Sequence, residues 1–432
     1  MTRRLNATDV NFAAAFEDLL FAKREEEEDV AAVVRGIIAD VRERGDAAVI
    51  ELTNRFDKAG VTAQTLKLSA AEIEAGLAKA TPAQLAAIET AAVRIESYHK
   101  RQVPADERYT DDTGVVLGWR WTSVDSAGLY VPGGTASYPS SVLMNAIPAK
   151  VAGVKRIVMV TPASGGSINP LVLAAAKRAG VTDIYRIGGA QAVAALAYGT
   201  ETIAAVDKIV GPGNAYVAAA KREVFGQVGI DSVAGPSEIL VIADGKNDPE
   251  WIAADLLSQA EHDASSQSIL ITDDAAFADK VAEAAARQIG ILPRKEIAAK
   301  SWNDYGAIIV VKTLDDAAPL ADRIAAEHLE IATDDPESYA KKVRHAGAIF
   351  LGRHTPEAMG DYIAGPNHVL PTSRTARFSS GLSVLDFMKR TTMLGLNATS
   401  IAAIGPDALA LAEAEGLDAH ARSIAARLNR RD

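Results

Sequence analysis

Glu238-Ile-Leu-Val-Ile-Ala-Asp-Gly-Lys-Asn-Asp-Pro-Glu-Trp-Ile-Ala-Ala-Asp-Leu-Leu-Ser-Gln-Ala-Glu-His-Asp-Ala-Ser-Ser-Gln-Ser-Ile-Leu-Ile-Thr272 decides the fold of this chain. It opens on an apolar run that reads as a buried strand and closes on a second one at 268–272. Between them Ile252, Leu256 and Leu257 recur at helical spacing, which predicts a helix over 249–262. Strand, helix, strand is the unit of a parallel sheet covered on both faces. From Asp255 to Ser268 the stretch is too polar for a core helix. On a helix, Gln259 and His262 project from one face, roughly 5–6 Å apart at Cβ. An amide oxygen and an imidazole nitrogen placed so can reach one cation or one polar substrate.

The alternation extends in both directions. Downstream, helices at 275–288, 316–326 and 336–344 separate strands at 306–311, 329–333 and 347–351. Upstream, helices at 141–151, 170–178, 190–198 and 214–225 alternate with strands at 156–160, 183–187 and 208–210. Residues 114–131 read as strands around a turn at Asp125. Residues 6–60 and 70–100 read as helical: the acid run Glu25–Asp29 suits a helix start, Val30, Val33, Val34, Ile37, Ile38 and Val41 form a helical stripe, and Gly45 ends it. Two helices, about 398–415 and 418–430, follow an irregular stretch and are expected to reach another subunit. The fold class is α/β: two Rossmann-like open-sheet domains, as an old duplication would give, with small helical N- and C-terminal segments.

Bulk properties exclude much. A net charge of −11 argues against nucleic acid and anionic membrane surfaces as partners. The chain has no cysteine, which removes disulfides, thiolate metal sites and a cysteine nucleophile. Asp and Glu interrupt the apolar stretch from Phe12, so no signal peptide is read there, and no run approaches a transmembrane span. A cytoplasmic enzyme or binding protein is the expectation.

Three glycine loops follow strand-like runs and precede helices: Tyr130–Gly134, Ile187–Gln191 and Gly211–Asn214. Glycine lets backbone approach a phosphate, and the strand ends of an open parallel sheet line one crevice. Together they point to a nucleotide site, although none matches G-x-G-x-x-G and no Walker A lysine is present. Gly235-Pro-Ser237 is a fourth turn that presents a hydroxyl. Of seven histidines, His99 reads as surface helix, and His345 and His354 flank a strand and receive no role. His328 ends a helix beside Glu327 at a helix-to-strand corner, a pairing suited to acid–base work near neutral pH. Gln259, His262, Asp361 and His420 would make an oxygen/nitrogen set suited to zinc, although their spacing matches no regular metal motif.

Several segments, taken in order, resemble the L-histidinol dehydrogenase family. They are Ala127–Gly134, Gly211–Val217, Ala234–Glu238, Asp255–Ser268, Ala326–Glu330, Gly360–Pro371 and Ala414–His420. The resemblance runs from about residue 30 to 430. It implies an NAD-dependent, zinc-containing homodimer of histidine biosynthesis with a shared active site, an oxidoreductase that takes L-histidinol to L-histidinal and then to L-histidine. It implies zinc on Gln259, His262, Asp361 and His420, His328 as the base for the alcohol proton, and Glu327 as the base for the hydrating water. Tyr130, Gln191 and Asn214 would contact NAD. Ser237, His368 and Glu415 would surround the substrate together with Gln259, His262, His328, Asp361 and His420, with Glu415 and His420 coming from the partner subunit. The implied division is an N-terminal helical arm at 1–24, a discontinuous α/β domain at 25–126 and 238–380 carrying catalytic and metal residues, an NAD-binding α/β domain at 127–237, and a C-terminal helical segment at 381–432 that reaches the partner. The rivals are a dehydrogenase of another polyol, such as a sulfopropanediol, on the same scaffold, and a non-catalytic zinc-binding dimer.

Overall fold

The computed structural model describes residues 2–22, 30–133, 138–233 and 235–429. The acid run at 25–29, Gly134 and Ala234 lie outside the described residues. The chain begins with β1 (Arg3–Asn6) and α1 (Phe12–Leu20), then α2 (Val30–Arg44), α3 (Asp46–Asp57), α4 (Ala70–Leu77) and α5 (Pro82–Lys100). Gly45, at φ +57, turns the chain between α2 and α3 in a backbone conformation that L side chains rarely adopt. Ser69 and Thr81 start α4 and α5 with reciprocal capping boxes to Glu72 and Gln84.

The next elements are β2 (Glu107–Thr110), β3 (Val116–Ser123), β4 (Ser126–Tyr130), α6 (Pro139–Ala152), β5 (Arg156–Val160), α7 (Pro170–Ala179), β6 (Asp183–Tyr185), α8 (Gly189–Tyr198), β7 (Lys208–Val210), α9 (Ala215–Val224) and β8 (Gly229–Ile230). The second half runs β9 (Glu238–Ala243), α10 (Pro249–Ala260), β10 (Gln267–Thr272), α11 (Ala275–Ile289), α12 (Lys295–Asp304), β11 (Ala307–Val310), α13 (Ala317–Ile324), β12 (His328–Ala332), α14 (Pro336–Ala340) and β13 (Ala348–Leu351). It closes with α15 (Glu357–Tyr362), β14 (Met388–Gly395), α16 (Ala398–Ala414) and α17 (Asp418–Arg427).

Two open parallel sheets result. The first has the order β6-β5-β4-β7-β8, the second β1-β11-β10-β9-β12-β13. Leaving β1 aside, both follow the order 3-2-1-4-5 of a mononucleotide-binding half, so the α/β reading with two Rossmann-like sheets holds. Central strands β9 and β10 are buried along their whole length, as parallel strands covered on both faces must be.

The strands on either side of Asp125 form as expected and enter different sheets: β4 the five-stranded sheet, β3 an antiparallel ribbon of order β14-β3-β2. Four expectations are corrected. The segment 381–432 is therefore not all helical. Its strand β14 is mostly exposed and carries no alternating apolar pattern that would announce a strand. The arm at 1–24 is not purely helical either, because β1 extends the edge of the six-stranded sheet. Residues 25–126 were expected with 238–380, yet the described helices there cover the other sheet. Val34, Ile37, Ile38 and Val41 of α2 pack with α8 and α9, and Ile88, Ala92 and Ile95 of α5 pack with α6 and α7. A periodic stripe shows that a helix buries one face; it does not show which sheet receives it. His99, expected on the surface, is fully buried, with Nδ1 2.8 Å from the Ile95 carbonyl. No helix among the described residues is long and apolar enough to cross a membrane.

Candidate metal and acid–base site

The reactive side chains gather at the amino ends of β9, β10 and β12. α13 stops at Ile324, and Ala325 takes a left-handed conformation (φ 49) that turns the chain into β12. His328 therefore starts a strand and does not end a helix, although the corner with Glu327 stands as expected. His328 Nδ1 lies 3.1 Å from the carbonyl of Glu238. A carbonyl only accepts, so Nδ1 carries the hydrogen and donates, and Nε2 is left with a bare lone pair. Nε2 is buried without a hydrogen-bond partner among the described residues and lies 3.9 Å from Asp361 Oδ1. Burial, with the nearby His262 and His368, pushes the His328 pKa down to about 3 against the Glu238 carbonyl, so the ring is neutral at neutral pH.

Glu327 is buried, and one carboxyl oxygen accepts the Glu238 amide at 3.1 Å. Burial pushes its pKa well up; the charges of Glu238 and Asp361 add to this, and hydrogen bonds from the Glu238 amide and the Ser237 hydroxyl oppose it. That hydroxyl places Ser237 beside the acid–base pair.

Asp248 caps α10 and Pro249 occupies its first turn, so the helix delivers its last residues to the same region. α10 ends at Ala260, and His262 sits in the turn beyond it, its amide donating to the Gln259 carbonyl at 3.1 Å. The two side chains meet as the spacing suggested: Gln259 Nε2 is 3.2 Å from His262 Nδ1. Gln259 Oε1 is buried with no hydrogen-bond partner among the described residues. Burial, then the charge of Arg294, lowers the His262 pKa.

α15 supplies Asp361 and an acid that sequence reasoning missed. Glu357 is buried, with Oε1 3.4 Å from His328 Nδ1. Ligand atoms of His328, Glu357 and Asp361 all lie within 4.8 Å of one another. Glu357 precedes Asp361 by one helical turn, and that spacing was the available signal. Asp361 Oδ1 is also 3.9 Å from His368 Nδ1, while His368 Nε2 is 3.4 Å from the Ser141 hydroxyl of α6. Burial raises Asp361 to about 7 and lowers His368 to about 4. Asn367 fastens this loop to α6 by donating to the Met144 carbonyl at 2.6 Å, and its amide nitrogen is 3.4 Å from His99. The cavity here, of about 140 Å³, is lined by His328, Phe350, Gly360, Asp361 and His368 among others. Among the described residues, no Lys or Arg forms an ion pair with Glu327, Glu357 or Asp361; the ion-pair contacts they make are with histidines. Buried acids with neutral imidazoles and an orphaned amide oxygen form a donor set that fits a divalent cation.

Glu415, the C-cap of α16, and His420 on α17 are exposed, and neither belongs to this convergence of ligand atoms. The structure thus brings Ser237, Gln259, His262, Glu327, His328, Asp361 and His368 to one region and leaves Glu415 and His420 outside it.

The cofactor candidates lie at the carboxyl ends of the five-stranded sheet. The buried Tyr130 hydroxyl accepts the Gly189 amide at 3.0 Å, which joins two of the glycine loops. Gln191 is buried in the first turn of α8. Asn214 caps α9, its side-chain oxygen accepting the amides of Tyr216 and Val217. Gly211, at φ +111, packs so tightly that a Cβ would sit 2.1 Å from the Tyr130 carbonyl oxygen.

A family model described as histidinol dehydrogenase matches residues 21–428. A histidinol dehydrogenase of Rhodospirillum rubrum is 66% identical over 431 residues, covering 100% of this chain and 99% of its own. One from Rhizobium meliloti is 64% identical over 429 residues, with 99% of each chain covered. The crystal structure of histidinol dehydrogenase from Elizabethkingia anophelis superposes with a TM-score of 0.95 at 38% identity, over 99% of this chain and 98% of that one.

Proposed function

The chain belongs to the histidinol dehydrogenase family, and from that premise we propose that it oxidises L-histidinol through L-histidinal to L-histidine, a step of histidine biosynthesis. Two NAD⁺ in turn would supply the hydride acceptor at one site that zinc and a second copy of the chain would complete. Gln259, His262 and Asp361 hold the zinc with His420 of the partner subunit, and Glu415 of the partner subunit meets the substrate amine. Exposed apolar side chains on α16, Ile404 and Leu411, and in the turn before α17, Leu417, support an interface there.

Bound zinc supplies a Lewis acid that fixes the imidazole and amine of the substrate, and bound NAD⁺ supplies the hydride acceptor. The residues of the chain do the rest. His328 Nε2 takes the carbinol proton while the carbinol carbon is oxidised. Its Nδ1–H stays on the Glu238 carbonyl and holds the ring plane. The aldehyde then adds water. Glu327 takes a proton from that water, and a cation beside Asp361 would oppose the burial that raises the Glu327 pKa. His328 returns its proton to the aldehyde oxygen as water adds, and is then free to take a hydroxyl proton of the hydrate in the second oxidation, which leaves the carboxylic acid; its ionisation gives the carboxylate. With no cysteine in the chain, a thiohemiacetal route is closed.

The observation that carries this reading is His328, its tautomer fixed by Glu238 and its Nε2 without a partner among the described residues, beside buried acids that no described Lys or Arg pairs with. The test is NADH release from protein supplied with NAD⁺ and L-histidinol, with and without a chelator. About two NADH per histidinol, lost on chelation and restored by zinc, is the expected result. No NADH from histidinol, with turnover of a sulfonated diol, overturns the substrate.

A further inference from the structure

Beneath the glycine loop 211–214 lies a buried ion pair that the chemistry above does not use. Lys221 projects from α9 and pairs with Asp231, which follows β8; the two side chains are 3% and 5% exposed. Burying two charges is costly, and an apolar pair of similar size would stabilise the fold as well or better, so the partners of these charges matter. Both charges act on one residue. Lys221 Nζ donates to the Gly211 carbonyl at 3.0 Å, and Asp231 accepts the Gly211 amide at 2.8 Å. Gly211 is thereby gripped on both polar groups of its backbone while its φ of +111 presses it against Tyr130. Tyr130 in turn accepts the Gly189 amide through its hydroxyl. A continuous set of contacts runs from the ion pair through Gly211 and Tyr130 to the start of α8.

We infer that Lys221 and Asp231 are positioning residues for the dinucleotide: they hold Gly211 and, through Tyr130, the α8 loop in the shape that receives it. Neither side chain reaches the ligand surface, since both are buried behind the loop. The inference rests on the NAD reading above and adds to it the device that shapes its binding loop. Binding energy tied to this device is expected to be uniform, equal in ground and transition states, because the pair contacts Gly211 and not the acid–base residues.

The test replaces the pair by apolar residues, Lys221→Met with Asp231→Leu, in the full-length protein. NADH affinity, read by fluorescence titration, is expected to weaken about tenfold and the KM for NAD⁺ to rise alike, with kcat within about twofold. The KM for histidinol and the zinc content stay at wild-type values. Lys221→Gln with Asp231→Asn, which keeps hydrogen-bonding capacity without charge, is expected to recover affinity to within about threefold of wild type. A folded apolar variant that binds NADH as the wild type does overturns the inference. If that variant does not fold, hydrogen exchange of the wild type decides: NADH must slow exchange across residues 211–217, and unchanged exchange in a protein that binds NADH overturns it. Absence of NADH binding by the wild-type protein removes the cofactor reading itself, a distinct outcome.

Discussion

The two parallel sheets share a strand order and use opposite ends. In the five-stranded sheet the crevice at the carboxyl ends of β4 and β7 opens onto glycine loops and the N-termini of α6, α8 and α9. In the six-stranded sheet the matching place, beyond β9 and β12, is filled. Arg353 makes a bidentate pair with Asp244, both contacts at 2.8 Å, and reaches Asp334 at 2.7 Å and the Ala332 carbonyl at 2.9 Å. Asn247 adds a bond to the same carbonyl at 2.8 Å. The reactive groups sit instead at the amino ends, where α10 and α13 finish. Helix N-termini carry partial positive charge and C-termini partial negative charge. One sheet thus offers the end that suits an anion and the other the end that suits a cation. Strand order provides a crevice; loop chemistry decides whether it is used.

The comparison breaks most directly at His328. His328→Asn removes the buried imidazole nitrogen that has no hydrogen-bond partner among the described residues, and histidinol oxidation is expected to fall about 10³-fold at unchanged zinc content, as removal of a general base does. Near-wild-type turnover would move the chemistry away from the amino ends. Next in size, Glu327→Gln should slow histidinal oxidation about 100-fold while sparing histidinol oxidation, because the amide cannot accept the water proton. Equal loss in both half-reactions, assayed separately, would end that division of labour.

The sealed end is tested by Arg353→Met. Asp244, 17% exposed at its side chain, would lose its charge partner, and unfolding should become easier by about 1–3 kcal/mol with kcat unchanged. A fall in kcat at wild-type stability would mean that this end takes part in the reaction. The smallest effect concerns Asp255, whose carboxyl hydrogen-bonds Glu330 and is raised by burial to about 6. A raised carboxyl stabilises the fold in full below about pH 4, and the contribution is lost as pH climbs through about 6. Asp255→Asn should therefore gain thermal stability relative to wild type, by a few degrees, between pH 4 and 7. A difference that is flat with pH would show that burial does not perturb this acid.

The sheets were largely legible in the sequence because buried parallel strands are short apolar runs between amphipathic helices. β5, read at 156–160, and β7, read at 208–210, fall on the residues expected. The polar ribbon strand β14 gave no such contrast, and α12 lay unread between helix and strand. In the site, Gln259 and His262 were visible from spacing alone. The gathering of Asp361 and His368 beside them was not, because 99 residues separate His262 from Asp361 and only tertiary packing brings them near. Glu357 escaped because an acid in a Pro- and Gly-punctuated stretch looks like solvent-facing loop, yet the fold buries it.

The pairing of β1 with β11, Arg3 beside Ala307 and Asn6 beside Val310, has a consequence in time. A ribosome makes β1 about 300 residues before the strand it pairs with. Until then the first strand has no neighbour, and the sheet it will edge does not exist. The strands of the five-stranded sheet all lie between residues 126 and 230 and can pair during synthesis, whereas closing the six-stranded edge waits on a late, long-range contact of the kind that slows folding. Nascent chains stalled before residue 307 should therefore hold the strands of the five-stranded sheet paired and β1 still open to protease.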